Sequence, residues 1–488
     1  MTPTTPTGVP FKPKHAWQRI PRLSPPKRPA AERVGDFREI DLLFDEGSIR
    51  EQASRCLQCP EPLCRTGCPL KNRIPEWIAL AAEGRFLEAA AVSNLTSNMP
   101  EICSRVCPQE RLCEGACILN ARSAPVAIGA VEKFINEYAL ARGMIEILRG
   151  AANGRRVAVV GSGPGGMACA DELVKRGYAV VVFESLAIPG GLLVNGIPAF
   201  KLEKAVVERR IKLLRESGVD FRLGVTVGRD VSLGALRSDF DAVFLAFGAQ
   251  YPKPLGVPGA ELAGVFDALP FLIQKNVGGL GGSAPIDVEG KRVAVVGGGD
   301  TAMDCLRTAV RCGAREAVCV YRRDLANMPG SRKEYQNALE EGARFLFLTN
   351  PVAVEGDASG HVTQVRCVQM ELGQPDASGR RRPKPVPGSD FVVPAEAVLV
   401  AFGFDPVPLP SLDDLVAIAA NDWGGVVVDQ NQMTNLPGVF AGGDLVRGPS
   451  LVVHAVVDGR RAAEGIDRYL SAQSNCRPTR SELAVCQP

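Results

Sequence analysis

Apolar and polar residues follow two different rhythms along this chain, and the change between them divides it. From Ala31 to about Leu148, segments such as 76–91 and 128–142 carry apolar residues at three- and four-residue spacing. That period predicts short amphipathic helices. At Arg155 the rhythm switches. Arg156-Val-Ala-Val-Val-Gly161 is a short apolar run ending in a glycine turn; 167–176 has a helical pattern, and Ala179-Val-Val-Val-Phe-Glu184 reads as strand again. Strand, glycine turn, helix, strand is a βαβ unit. The same grammar returns at Arg292-Val-Ala-Val-Val-Gly297, with a helix predicted over 301–312 and a strand ending at Tyr321.

The repeat implies two nucleotide-binding domains of one ancestry. Two further strands end in near-identical phrases, Ala242-Val-Phe-Leu-Ala-Phe-Gly248 and Ala397-Val-Leu-Val-Ala-Phe-Gly403, each reading as the closing strand of its own half. Gly438-Val-Phe-Ala-Gly-Gly443-Asp444 adds one more strand and turn, and a helix is expected from Ser450 to about Tyr469. The fold class is α/β: two Rossmann-like domains, one inserted in the other, preceded by a helical cysteine-rich domain. The expected divisions are an extended arm over 1–30, where eight prolines oppose regular structure, and a helical domain over 31–150. A first nucleotide domain follows over 151–260 and 405–473, with the second inserted at 261–404 and a loose tail at 474–488.

The glycine turns carry the first chemistry. A pyrophosphate needs a tight turn, a close backbone approach and a helix N-terminus aimed at it. In Gly161-Ser-Gly163-Pro-Gly-Gly166 the three glycines meet those needs in order: Gly161 for the turn, Gly163 for the approach, Gly166 for helix packing. Glu184, at the end of the next strand, suits ribose hydroxyls and would repel a 2′-phosphate, so this site fits FAD or NAD. The second fingerprint runs Gly297-Gly-Gly299-Asp300-Thr301-Ala302. No acid stands where Glu184 stands in the first. Arg322 and Arg323 follow instead, and guanidinium groups suit a phosphate monoester, which points to NADPH. Gly443-Asp444 precedes a Gly448-Pro449 break; Asp444 is placed to hold a sugar-alcohol hydroxyl of the flavin chain, and a helix N-terminus there favours negative charge on a reduced ring.

The second chemistry is in the cysteines. Of fifteen in the 488 residues, eight lie within 62 positions: Cys56-x2-Cys59-x4-Cys64-x3-Cys68-Pro69, then Cys103-x3-Cys107-Pro108-x4-Cys113-x3-Cys117. Such clustering favours metal ligation. The cysteine-proline ending resembles ferredoxin spacing, in which the last cysteine serves a second cluster; zinc ribbons prefer paired CxxC knuckles, and only Cys56/Cys59 has that spacing. Net charge is +2, which argues for neither nucleic acid nor an anionic membrane. The proline- and lysine-rich start lacks the apolar stretch of a signal peptide and no run is long enough to span a bilayer, so a cytoplasmic chain with reduced cysteines is expected. His15, His361 and His454 are scattered and form no catalytic pattern. Two dinucleotide sites behind a cysteine array read as an electron conduit, in which positioning replaces side-chain acid–base chemistry.

Several stretches together resemble the small (beta) subunit family of bacterial NADPH-dependent glutamate synthases. They are Lys27-Arg-Pro-Ala-Ala-Glu-Arg33, Glu101-Ile-Cys-Ser-Arg-Val-Cys-Pro-Gln109, Leu112-Cys-Glu-Gly-Ala-Cys117, Gly190-Gly-Leu-Leu-Val-Asn-Gly196-Ile-Pro198 and Phe200-Lys-Leu-Glu-Lys-Ala-Val-Val-Glu-Arg-Arg210. Gly297-Gly-Gly-Asp-Thr-Ala-Met-Asp304, Tyr321-Arg-Arg-Asp324 followed by Asn327-Met-Pro-Gly-Ser331, and Gly442-Gly-Asp-Leu-Val-Arg-Gly448 complete the set. The resemblance implies FAD at the first fingerprint, with Gly191, Leu192 and Gly196 among its contacts, and NADPH at the second. It implies two 4Fe–4S clusters passing electrons to FMN on a separate large (alpha) subunit that makes L-glutamate from glutamine and 2-oxoglutarate. By similarity to the N-terminal part of dihydropyrimidine dehydrogenase, one cluster would use Cys56, Cys59, Cys64 and Cys117. The other would use Cys68, Cys107, Cys113 and Glu132, leaving Cys103 a spectator. His454 replaces the family's usual Trp, and Phe247 and Phe402 replace smaller residues.

Three other readings compete. A thioredoxin-reductase-like enzyme would need a CxxC in the second nucleotide domain, which holds only Cys305, Cys312 and Cys319. The same module would equally serve a pyrimidine reductase or a bifurcating transhydrogenase. A non-enzymatic zinc-binding scaffold is the third.

Overall fold

A computed structural model of the chain describes residues 13–278, 285–375, 379, 381–409 and 415–475. Positions 1–12 of the expected arm and 476–488 of the expected tail lie outside the described residues. The rest of the arm departs from expectation. Pro13–Gln18 is a 3-10 turn, since a proline at the start of a helix gives up no hydrogen bond. The chain that follows lies against the helical region: Arg55 donates to the carbonyls of Ile20 and Pro125, and Arg22 meets Glu114 at 2.6 Å.

The helical region holds Glu46–Ser54, Ile74–Glu83, Phe86–Thr96, Pro100–Val106 and Ile128–Leu140 around a core of Trp77, Ile78, Phe86 and Phe134. The helix expected over 76–91 is two helices. Gly84, at φ +82°, closes the first in the left-handed conformation, where glycine carries no Cβ penalty. The cysteines sit mainly in the short turns between these helices.

Two five-stranded parallel sheets follow. The first contains β1 (Arg156–Val160), β2 (Ala179–Glu184), β3 (Asp220–Leu223) and β4 (Ala242–Leu245). The chain then passes through β5 (Tyr251–Pro252) into the second sheet, with β6 (Val265–Asp267), β7 (Arg292–Val296), β8 (Glu316–Tyr321) and β9 (Arg344–Phe347). Next come β10 (Thr349–Gly356), β11 (Val362–Pro375), β12 (Arg381–Pro394), β13 (Ala397–Val400), β14 (Phe404–Asp405) and, back in the first sheet, β15 (Val439–Ala441). The orders are β15-β4-β1-β2-β3 and β6-β13-β7-β8-β9. Neither β4 nor β13 closes its sheet, as the repeated phrases suggested; β15 and β6 take those edges. The two crossings between sheets pair with each other, β5 antiparallel to β14, with Lys253 and Asp405 at 2.9 Å.

The sequence reading did not anticipate the antiparallel sheet β10-β11-β12. β11 buries Val362, Val365, Cys367 and Met370 at spacings of two and three, because bulges break its alternation. The prolines of β12 masked the sheet; they are tolerated because β12 is an edge strand. The final helix, Val452–Asn475, runs past Tyr469 and packs on Pro164–Lys175. A Cβ at Gly459 would stand 2.2 Å from the Gly165 carbonyl, so the two helices touch through backbone.

A buried charge network joins the second nucleotide domain to the N-terminal region. The Glu341 carboxylate takes Arg33 at 2.8 Å, Arg307 at 2.9 Å and Arg311 at 2.6 Å. Arg307 also pairs with Glu334. The ring of Phe200, from the first nucleotide domain, lies 4.2 Å from the Arg307 guanidinium and 4.1 Å from that of Arg311. Removing one partner of a buried pair leaves uncompensated charge and costs about 3–5 kcal/mol. Glu341→Gln is therefore expected to lower stability by that amount, read as a fall in the denaturant midpoint; an unchanged midpoint would contradict the role given to this carboxylate.

Candidate functional site

The first fingerprint is built at the β1 end. Gly161, at φ +101°, turns the chain, and a Cβ there would meet the Ala246 carbonyl oxygen at 2.6 Å. Gly166 is tighter still, with a Cβ falling 1.9 Å from the Gly161 carbonyl oxygen. Gly163 faces open space and caps the helix Pro164–Lys175, whose first residue is proline. Its free N–H groups and dipole favour an anion. Glu184 is buried at the end of β2 and accepts from Ser162 N at 3.0 Å and Leu186 N at 3.0 Å. Ser162 Oγ also donates to it, at 2.5 Å. The carboxylate is thus fixed beside the turn.

Gly191 and Leu192 begin the short helix Leu192–Asn195, and Gly196 caps it. Opposite, Gly443 N donates to Asp458 Oδ2 at 3.0 Å, and Arg447 binds the same carboxylate at 2.7 Å. The final helix thereby holds the Gly443-Asp444 turn. Burial pushes the Asp444 carboxyl up to about 7, so it can stand protonated as a hydrogen-bond donor. His454 Nδ1 lies 2.8 Å from Ser450 Oγ.

The second fingerprint repeats the first between β7 and the helix Asp300–Arg311. Gly297 N bonds to the Val320 carbonyl, and Gly299 caps the helix with open space beside it. Asp300, Thr301 and Ala302 form the first turn. The structure separates the two arginines beyond β8. Arg322 is exposed. Arg323 is buried, and its Nε donates to the Arg381 carbonyl at 2.9 Å.

A single cavity of about 490 Å³ joins these parts. Gly161, Gly163, Glu184, Gly191, Leu192, Gly443 and Asp444 line it from the first fingerprint's side, Asp300 and Thr301 from the second's. Gly166, Gly196, Gly297, Gly299, Ala302, Arg322 and Arg323 are not on its wall. Phe247 is on the wall too, whereas Phe402 is partly exposed elsewhere. Cys107 reaches the cavity from the helical region. The sequence reading missed one pair inside it: Lys201 Nζ meets Asp304 at 2.9 Å, and burial holds that carboxyl up near 6. Both residues lie in stretches that carried the family resemblance, where a buried charge in an apolar run was the available signal.

The cysteines fall into two groups. Cys56, Cys59, Cys64 and Cys117 line one small cavity, and the charges acting on Cys64 come from the other three. Cys68 feels Glu132 and Cys103; Cys113 feels Glu132 and Cys68. The free thiols of Cys107 and Cys103 are hydrogen-bonded, and Cys107 also feels Glu132 and Cys113. Among the described residues no three such side chains converge closely enough to cage a single ion; the thiols of the first group ring a space instead. Burial pushes Cys56 up to about 11 and Cys64 up to about 12. Such thiols ionise when a cationic centre supplies the missing charge. Glu132 is held by Asn72 Nδ2 at 3.0 Å, its carboxyl raised to about 8 by burial. The donor set fits thiolate-held iron–sulfur centres, and the glycine turns with their open faces fit dinucleotides.

Comparison with known proteins follows the same division. Residues 33–144 match the family model described as dihydropyrimidine dehydrogenase domain II, 4Fe-4S cluster, and residues 155–459 that of pyridine nucleotide-disulphide oxidoreductase. The glutamate synthase (NADPH) small chain of Escherichia coli K12 is 46% identical over 461 residues, covering 92% of this chain and 98% of that one. The putative oxidoreductase AegA of the same organism is 46% identical over 470 residues, covering 94% of this chain and 71% of that protein. Mycobacterium tuberculosis FprA in complex with NADPH aligns with a TM-score of 0.54 at 22% identity, over 68% of this chain and 89% of that one, a likeness of fold. Among the described residues no helix is long and apolar enough to cross a membrane.

The grouping of thiols gives a direct expectation. Cys113→Ser should lose the iron of one cluster while Cys103→Ser keeps the full complement, measured as iron and sulfide per chain after anaerobic reconstitution. The opposite result would make Cys103, which stands against Cys107, the ligand in place of Cys113.

Proposed function

The chain belongs to the family of glutamate synthase (NADPH) small chains, and from that premise we propose that it is the electron-input subunit of such an enzyme, an oxidoreductase working in the cytosol. When bound, NADPH supplies a hydride, FAD turns the pair into single electrons, and two 4Fe–4S clusters carry these to FMN on a large subunit that makes L-glutamate from glutamine and 2-oxoglutarate. The observation that carries this proposal is the shared cavity: both fingerprints and Cys107 open onto one space.

The residues divide the work by position. Gly161, Gly163, Gly166 and the helix behind them cradle the FAD diphosphate, with Glu184 held by Ser162 to accept ribose hydroxyls. Gly191, Leu192 and Gly196 form the facing wall. Asp444, on the wall of the cavity, holds a sugar-alcohol hydroxyl of the flavin chain. Gly297, Gly299, Thr301 and Ala302 hold the NADPH diphosphate, with Asp300 opening the helix beside it. Arg322 takes the 2′-phosphate, while Arg323 is tied to the Arg381 carbonyl. Cys56, Cys59, Cys64 and Cys117 hold one cluster, and Cys68, Cys107, Cys113 and Glu132 the other. Reduced thiolates suit a cytosolic compartment. No side chain need act as acid or base on a substrate, because catalysis rests on holding the partners near each other.

The match to a longer oxidoreductase favours keeping a second partner in view: the same module feeding a different reductase, such as a pyrimidine reductase or a transhydrogenase. Copurification at native expression level separates the two. A large flavoprotein with a glutaminase domain supports the glutamate assignment, and a partner without one overturns it.

Nucleotide choice is tested at the arginines. Arg322→Ala should raise the KM for NADPH by about tenfold or more and leave that for NADH nearly unchanged, as loss of a charge-assisted phosphate contact requires. Equal losses for both nucleotides would refute the assignment of Arg322.

A further inference from the structure

The turn between Cys107 and Cys113 belongs to the helical domain, yet it touches the second fingerprint. Glu110 Oε1 accepts from Ser331 Oγ at 3.0 Å. Arg111 Nη1 donates to the Pro329 carbonyl at 2.8 Å, and its Nη2 stands 4.0 Å from Asp300 Oδ2. Ser331 N in turn donates to Asp300 Oδ1 at 2.9 Å, and Gly330 N to the Gly298 carbonyl at 3.0 Å. Glu110, Ser331, Asp300 and Cys107 all line the shared cavity.

Asp300 poses a problem that these contacts answer. It is the first residue of the helix Asp300–Arg311, where a dinucleotide's diphosphate is held. A carboxylate there repels that anion. Ser331 N and the Arg111 guanidinium draw the Asp300 carboxylate aside and offset its charge. The cationic part of that offset, Arg111, comes from a domain that is not the nucleotide domain.

We propose that Arg111 and Glu110 are positioning residues for the second fingerprint, so that nucleotide binding and the Cys107/Cys113 turn are coupled. The proposal rests on the assignment of NADPH to that fingerprint. Coupling of this kind is reciprocal: whatever factor cluster reduction imposes on nucleotide affinity, the nucleotide imposes on cluster reduction.

The test uses 2′-phospho-ADP-ribose, which carries both phosphate groups but no nicotinamide and so leaves the flavin's own chemistry aside. Its Kd is measured by calorimetry on the flavin- and iron-loaded full chain. Arg111→Met should weaken binding about threefold to fivefold, the size of a partly exposed charge pair, and Arg111→Lys should restore most of it. Ser331→Ala removes the Oγ contact to Glu110 while keeping the backbone N–H on Asp300, and should weaken binding from the nucleotide-domain side of the turn. In the wild type the ligand should shift the cluster midpoint potential; a fivefold coupling corresponds to about 40 mV for one electron. Arg111→Met should abolish that shift.

Unchanged affinity in Arg111→Met and Ser331→Ala, with a cluster potential indifferent to the ligand, would overturn the proposal and leave these contacts as packing between domains. Failure of the wild-type chain to bind the ligand at all would overturn the nucleotide assignment beneath it, and the proposal with it. Wild-type binding tells the two failures apart.

Discussion

Three guanidinium groups share one carboxylate near the middle of this molecule. Arg33 comes from the N-terminal region, Arg307 and Arg311 from the helix behind the second fingerprint, and Glu341 binds all three. Buried ion pairs contribute little net stability, because desolvation cancels most of their attraction. What they give is register: any other docking of the nucleotide domain would leave buried charge without a partner. The Phe200 ring, in contact with two of the guanidiniums, extends that register to the first nucleotide domain.

Position matters here more than reactive side chains. A chain that relays electrons needs its binding regions close together and dry, and the shared cavity meets that need with walls from all three regions. The charges left inside it are answered locally. Glu184 is held by Ser162 and Lys201 by Asp304, and behind the wall Asp458 is held by Arg447. The β5–β14 ribbon ties the two crossings where the chain leaves the first sheet and returns. The pairing of these short strands lets an inserted domain sit beside its host without a long linker.

Much of this was legible in the sequence because backbone geometry admits few alternatives. Gly161 and Gly166 stand where any Cβ would strike a carbonyl, so the fingerprint dictates its own fold. Short apolar runs located β1, β2, β4, β7, β8, β13 and β15, and helix period located the helices behind both fingerprints and the final one. The exceptions have physical causes. Gly84 ended a helix whose apolar period continued past it. The prolines of β12 hid an edge strand. Repeated phrases marked β4 and β13 as strands but carried nothing about which neighbours would flank them, because pairing between distant strands leaves no local trace. In the site, residue type suggested two phosphate-binding arginines, and only packing distinguished the exposed Arg322 from the buried Arg323. Lys201 and Asp304, a hundred residues apart in sequence, meet only in the folded chain.

The account's central claim is that electrons entering at the second fingerprint leave through the cysteine-held iron by way of the first. An anaerobic titration with NADPH tests it most directly, following flavin absorbance and the paramagnetic signal of reduced iron in one sample of the reconstituted chain. The account predicts that NADPH alone bleaches the flavin band and brings up the iron signal. A flavin that bleaches while the iron stays oxidised, although dithionite reduces it, would contradict the account.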